Sequence, residues 1–145
     1  MNPVQLRRRC RLHARENVYD ESGSEPLGWA IYTLSDPRDL REVRYVGQTT
    51  APRRRFLQHL HHARLWLPHD LPWWIKQRKL RPLYTWMREL YGDDNRLPVM
   101  IVSEWATSGA QARTLERARI FDCLAQNHQL LNVESELLGD QIALL

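Results

Sequence analysis

The stretch WAIYTLSDPRDLREVRYVGQTTAPRRRFLQHLHHAR, residues 29–64, decides how the rest of the chain is read. Ala30-Ile31-Tyr32 opens one apolar run, Tyr45-Val46-Gly47 closes another, and a charged segment lies between them. Two such runs joined by a polar connection read as a β-hairpin, with Asp36-Pro37 starting the turn. An amphipathic helix should follow, with Thr50 as N-cap and Pro52 in its first turn. Phe56, Leu60, Ala63 and Leu67 recur at helical spacing and form the stripe expected to be buried. Arg55, His59 and His62 fall on another face at i, i+4, i+7 spacing, so all three can address one object.

Upstream, residues 1–27 read as a basic arm and linker. Arg7, Arg8, Arg9, Arg11 and Arg15 are mixed with apolar residues that make no clean helical stripe, which allows at most a short helix. Such an arm suits a phosphate backbone, or is simply a solvated terminus. YDESGSEPLG, residues 19–28, has linker composition. Residues 28–145 read as one compact domain.

Downstream, Pro68-His69-Asp70-Leu71-Pro72 should end the first helix. Trp73 to Leu80 makes a short second one capped by Asp70. Its cationic run includes Lys76, Arg78 and Lys79, either a solvated face or a nucleic-acid contact. Pro82 opens a helix that buries Leu83, Met87 and Leu90 and stops at Gly92. Tyr84 and Trp86 read there as packing residues. Val99 to Trp105 is a continuous apolar run, suited to a central strand buried on both faces. Ser108 and Gln111 form a capping box for a long helix reaching about His128. Glu134 to Leu145 reads as a last short helix packing Leu137, Leu138 and Ile142. The order predicts a small α/β (α+β) fold, a three-stranded, mainly antiparallel sheet flanked by helices.

At 145 residues, 43% hydrophobic and 26% charged, the chain is sized and composed as one globular domain. It has no apolar run of the ~18 residues that cross a bilayer, and its first residues lack the apolar core of a secretory signal. Two cysteines, Cys10 and Cys123, are too few for a disulfide framework and read as free thiols in a reducing, cytoplasmic setting. A net charge of +4 and pI near 9.4 favour an anionic partner, nucleic acid first.

Several chemistries lack their signature. There is no glycine-rich phosphate loop and no Gly-x-Ser-x-Gly. His59, His61 and His62 with Glu104 or Glu116 do not have the spacing of a zinc site. Glu116 has Ala112, Ile120 and Cys123 at i−4, i+4 and i+7, an apolar strip on which a carboxylate needs a cation or a metal. The plainer reading of the pattern is an ion pair with Arg113, Arg117 or Arg119. Tyr32 and Tyr45, taken singly, are packing residues of a hairpin.

Together these residues resemble the GIY-YIG nuclease superfamily. Ala30-Ile31-Tyr32 matches the first motif, with alanine where the family usually has glycine. Tyr45-Val46-Gly47 matches the second, Arg55 and His59 the helical pair, Glu116 the metal-binding glutamate, and Asn132 the late asparagine. The resemblance implies a metal-dependent endonuclease that hydrolyses DNA phosphodiester bonds. One Mg²⁺ on Glu116, with Mn²⁺ as a substitute, and Arg55 would stabilise the phosphate charge. Tyr32 would activate water with help from His59, Tyr45 would orient it, and Asn132 would brace the site. Arg53, Arg54, His62, Lys76, Arg78 and Lys79 are the expected nucleic-acid contacts. The implied partner is DNA, whether single-stranded, duplex or branched, with RNA as another possibility. The protein would act without a membrane, as monomer or homodimer, associated with the nucleoid when bound. Ala30 and the arginine-rich terminus also admit a different class, a weak or inactive nucleic-acid binder on the same fold. A third class is a protein-interaction module using the Trp-rich segment from Trp66 to Trp86.

Overall fold

The computed structural model describes residues 2–65 and 80–132. The elements run α1 (Pro3–Glu16), β1 (Val18–Asp20), β2 (Trp29–Asp36), β3 (Asp39–Thr49), α2 (Pro52–Ala63), α3 (Pro82–Asp94), β4 (Val99–Ala106) and α4 (Gly109–Ala125). Among the described residues they form an α+β fold with four helices and a four-stranded mixed sheet, ordered β1-β4-β2-β3. The sheet has one strand more than the three expected, because Val18–Asp20 pairs in parallel with β4. Three residues are too few to show a period in sequence.

The hairpin forms as its turn chemistry dictates. Asp36 pairs with Asp39 across Pro37-Arg38, and the Asp36 carboxylate accepts from the Arg38 backbone N–H at 2.8 Å. The same carboxylate pairs with the Arg38 guanidinium at 2.9 Å. Asp that bonds backbone two residues on is a standard turn former.

Residues expected as a basic arm are built into the domain. Asn2 and Gln5 make a reciprocal capping box for α1, with Pro3 in the first turn. Ala14 is buried, Cys10 and Val18 pack against the main core, and the Arg9 guanidinium lies 5.5 Å from the Tyr91 ring centroid. The linker reading fails likewise at Tyr19 and Asp20, which belong to β1.

Alternation on the strands sorts the core into two layers. Ala30, Tyr32, Leu34 and Tyr45 share a cluster with Phe56, Leu60 and Ala63 of α2 and Leu83 and Met87 of α3. Ile31 packs with Ala112, and Val46 with Ile120 and Cys123, all three on α4. Thus α2 and α3 cover one face and α4 the other, and β2, interior on both, is almost wholly buried.

Helix ends depart from expectation in four places. Thr50 does not cap α2; the cap position is Ala51, whose N–H is taken by the Thr49 hydroxyl at 3.1 Å. That helix stops at Ala63, where Arg64 turns left-handed and the Arg88 guanidinium of α3 donates to the Ala63 and Arg64 carbonyls. Gly92 does not end α3, which runs to Asp94 before the left-handed Asn95. The last helix ends at Ala125, short of His128. Asn127 there is left-handed, its N–H bonds Leu124 and that of His128 bonds Cys123, a complete Schellman closure. The expected elements at residues 68–79, the final helix at residues 134–145, and Leu67 lie outside the described residues. Leu80, expected as the last residue of the second helix, is not helical and packs against the main core.

Candidate active site

Tyr32 sits in mid-strand on the interior strand β2, facing α2. Beside it the pairing with β4 slips: Ile31 opposes Glu104 but Tyr32 opposes Val102, leaving Ser103 as an extra residue. The Ser103 hydroxyl donates to the Ile31 carbonyl at 3.2 Å. Such a bulge re-aims the side chains next to it. Across the hairpin, Tyr32 opposes Gly47. A Cβ at Gly47 would lie 2.5 Å from the Tyr32 hydroxyl, 2.6 Å from its Cζ and 2.9 Å from Tyr45 Cε1. The phenol ring therefore lies over bare backbone. Gly47 is not among the positive-φ residues, so space and not conformation demands glycine. Nor does Ala30 need a left-handed backbone, and its methyl is fully buried in the Tyr32 layer.

From α2, the wholly buried His59 points its Nε2 at the Tyr32 hydroxyl, 2.8 Å away. Its Nδ1 lies 3.2 Å from the hydroxyl of Tyr84 on α3, and that hydroxyl is 3.3 Å from His62 Nδ1. Tyr45 stands edge-on to the His59 ring at 5.5 Å between centroids. The Arg55 guanidinium completes the group, its charge acting on Tyr32. It also donates to Gln58 at 3.2 Å.

Burial sets the charges here. It draws the His59 pKa down to about 3, and Arg55, His62 and Arg81 push the same way. It drives the Tyr32 phenol well above its ordinary value; Tyr45 adds to this, while Arg55 opposes without reversing it. For Arg55, burial works against the charge, but the facing Tyr32, Tyr45 and Tyr84 outweigh it and raise its pKa. At neutral pH the cluster is a neutral phenol hydrogen-bonded to a neutral imidazole beside a fixed cation. Such a pair can relay a proton in one concerted step, the phenol oxygen taking a proton from a donor as it gives its own to the imidazole, so that no free phenolate forms.

Asn132 is buried beyond the outer edge of β3. Its amide accepts from the Val46 N–H at 3.1 Å and donates to the Val46 carbonyl at 2.9 Å, one residue from Tyr45. Glu116 is half-buried on α4, in line with the buried Ala112 and Ile120. Its helix covers the face opposite Tyr32, so the carboxylate and the phenol are held by elements on different sides of the sheet. No three His, Cys, Asp or Glu side chains gather as a metal cluster among the described residues. A lone carboxylate still suits Mg²⁺, which commonly takes one or two and keeps water for the rest. Arg53 and Arg54 are exposed at the start of α2. Lys76, Arg78 and Lys79 lie outside the described residues.

Compared with protein-family models, curated proteins and solved structures, the chain matches none. The fold and site therefore stand on the residues themselves. Tyr84, read in sequence as packing, is the polar member that sequence reasoning missed. It is on another helix, 25 residues from His59, and no spacing links the two.

Proposed function

We propose that this chain is a metal-dependent endonuclease that hydrolyses DNA phosphodiester bonds in the manner of the GIY-YIG superfamily its motifs resemble. The observation that carries the reading is the 2.8 Å contact between the Tyr32 hydroxyl and His59 Nε2, with Arg55 and Tyr45 around it. Residues from two strands and a helix converge on one buried polar group. A hairpin that needed only packing would be better served there by apolar side chains, since burying polar groups is costly.

In this mechanism Tyr32 accepts a proton from the attacking water as its own passes to His59, so no free phenolate is needed. Tyr45 orients the water or a phosphate oxygen. Arg55 holds the developing negative charge, the kind of preorganised stabilisation that lowers such barriers most. Mg²⁺ held by Glu116, with Mn²⁺ as a substitute, would supply Lewis-acid stabilisation of the phosphate. In this reading the phosphate would lie at the edge strand β3, past the Asn132 and Leu131 bonds at Val46 and Arg44, between groups from the two faces. Exposed Arg53 and Arg54 on α2, with Arg7, Arg8, Arg11 and Arg15 on the adjacent α1, supply cations for the nucleic-acid backbone. The free thiols Cys10 and Cys123 accord with a cytoplasmic setting.

One observation favours a second reading, a non-catalytic DNA binder: Tyr32 is only 1% exposed. Incubation with single-stranded, duplex and branched DNA, with Mg²⁺, Mn²⁺ or EDTA, separates the two. The nuclease reading expects cleavage of at least one substrate, abolished by EDTA, Tyr32→Phe and Glu116→Ala. Full activity in Glu116→Ala would refute the metal assignment. Salt-sensitive binding without cleavage by wild type would establish the binder.

A further inference from the structure

The hydrogen-bonded chain does not stop at His59. From Tyr32 it continues through His59 to Tyr84 and His62, with steps of 2.8, 3.2 and 3.3 Å. It runs from an almost inaccessible phenol, through a fully buried imidazole and a Tyr84 that is 6% exposed, to the exposed His62. Every atom on it can both give and take a proton, or does so through its second ring nitrogen. One assignment threads all three contacts in a single direction: Tyr32 O–H to His59 Nε2, His59 Nδ1–H to Tyr84 Oη, and Tyr84 O–H to His62 Nδ1. Reversing every donor gives the state left after one proton has passed along the chain.

We propose that Tyr84 and His62 form the outer half of a proton relay that carries the proton of the attacking water from Tyr32 and His59 to solvent. The proposal rests on the nuclease reading. In balance, the water O–H bond breaks and a bond forms to Tyr32 Oη as that oxygen releases its own proton to His59 Nε2. His59 releases its Nδ1 proton to Tyr84, Tyr84 releases its hydroxyl proton to His62 Nδ1, and the imidazolium at His62 discharges to bulk water. The hydroxide oxygen bonds to phosphorus as the P–O bond to the leaving sugar breaks, and the departing alkoxide takes a proton from solvent. The one proton released at His62 balances the one the water lost. His59 needs this exit because a lasting charge on it is opposed by burial and by Arg55. Burial, with Arg55, His61, Arg64 and Arg81 close by, keeps His62 deprotonated below its usual titration range and so ready to accept.

Tyr84 and His62 are positioning and relay residues, not groups in contact with substrate. The test measures DNA cleavage by wild type, Tyr84→Phe, His62→Ala and the double variant, with folding checked by circular dichroism. Each single variant should lose on the order of tenfold in rate, less than the roughly 10²–10⁴-fold of a direct general acid or base, because neither residue touches the substrate. The double variant should lose no more than either single, because each change cuts the same path. Added imidazole should restore His62→Ala and leave Tyr84→Phe unchanged. In ¹⁵N spectra of the intact protein, Tyr84→Phe should shift both His59 Nδ1 and His62 Nδ1. Wild-type rates in both single variants, multiplied losses in the double, or no recovery with imidazole would overturn the relay while leaving the nuclease reading intact. If wild type cleaves nothing and Tyr32→Phe binds DNA as well as it does, the nuclease reading fails and takes the relay with it.

Discussion

Gly47 and Tyr32 show how a single residue can serve its neighbour by being absent. The phenol occupies the volume that a side chain at residue 47 would fill. Gly47→Ala should therefore displace the buried Tyr32 and Tyr45 rings and destabilise the fold by about 1–3 kcal/mol, the usual scale of overpacking. Gly92 is the internal control, since it lies within α3 and a Cβ there meets nothing within 4 Å. Gly92→Ala should stabilise by roughly 0.5–1 kcal/mol through helix propensity and reduced unfolded-state entropy. Urea unfolding of the two variants should give opposite signs. Equal stability of Gly47→Ala and wild type would mean that Tyr32 is not held as described.

Elements here are held at their ends by groups from elsewhere in the chain. The outer edge of β3 is closed by the Asn132 amide on Val46 and by the Leu131 N–H on the Arg44 carbonyl. One amide side chain does the work of a short neighbouring strand. Asn132→Ala would leave a buried Val46 donor and acceptor without this partner, costing about 1–3 kcal/mol for each unsatisfied group. Asn132→Asp keeps the acceptor but loses the donor, so its unfolding midpoint should fall between wild type and alanine. A midpoint for Asn132→Ala equal to wild type would show that water replaces the amide at no cost. Arg88 plays a similar part for α2, whose C-terminal carbonyls it caps from α3. This tie also fixes the two helices that carry His59, His62 and Tyr84.

For the molecule as a whole, the buried imidazole at the centre makes stability depend on pH. His59 titrates at about 3 in the fold and at about 6.5 when unfolded. Between those values the unfolded chain binds a proton that the fold refuses. The contribution of His59 is therefore complete above about pH 6.5 and is lost as pH falls, at up to ~1.4 kcal/mol per pH unit. His13 and His62 are shifted in the same direction. Asp36, held low by its hydrogen bonds to Arg38, adds its loss only below about pH 4. Urea midpoints should drop between pH 7 and 5, and His59→Gln should have the flatter profile. An unchanged wild-type midpoint over that range would contradict a neutral buried His59.

Local chemistry was enough for much of this architecture. The Asp36-Pro37 turn, the strand at Val99, the Ser108 cap and the buried Phe56-Leu60-Ala63 stripe all depend on neighbours within a few residues, so sequence alone determined them. The Asn2–Gln5 capping box was equally readable and would have revealed α1. The parallel strand Val18–Asp20, the left-handed stops at Arg64 and Asn95, and the link from His59 to Tyr84 depend on segments distant in sequence. The same holds for which face of the sheet is covered by the helix that carries Glu116. Sequence brought the motif residues into one order along the chain; tertiary packing decided which of them meet. Hydrogen bonds and close packing reach only a few ångströms, and which atoms come that close is settled when the sheet and its two helical layers assemble.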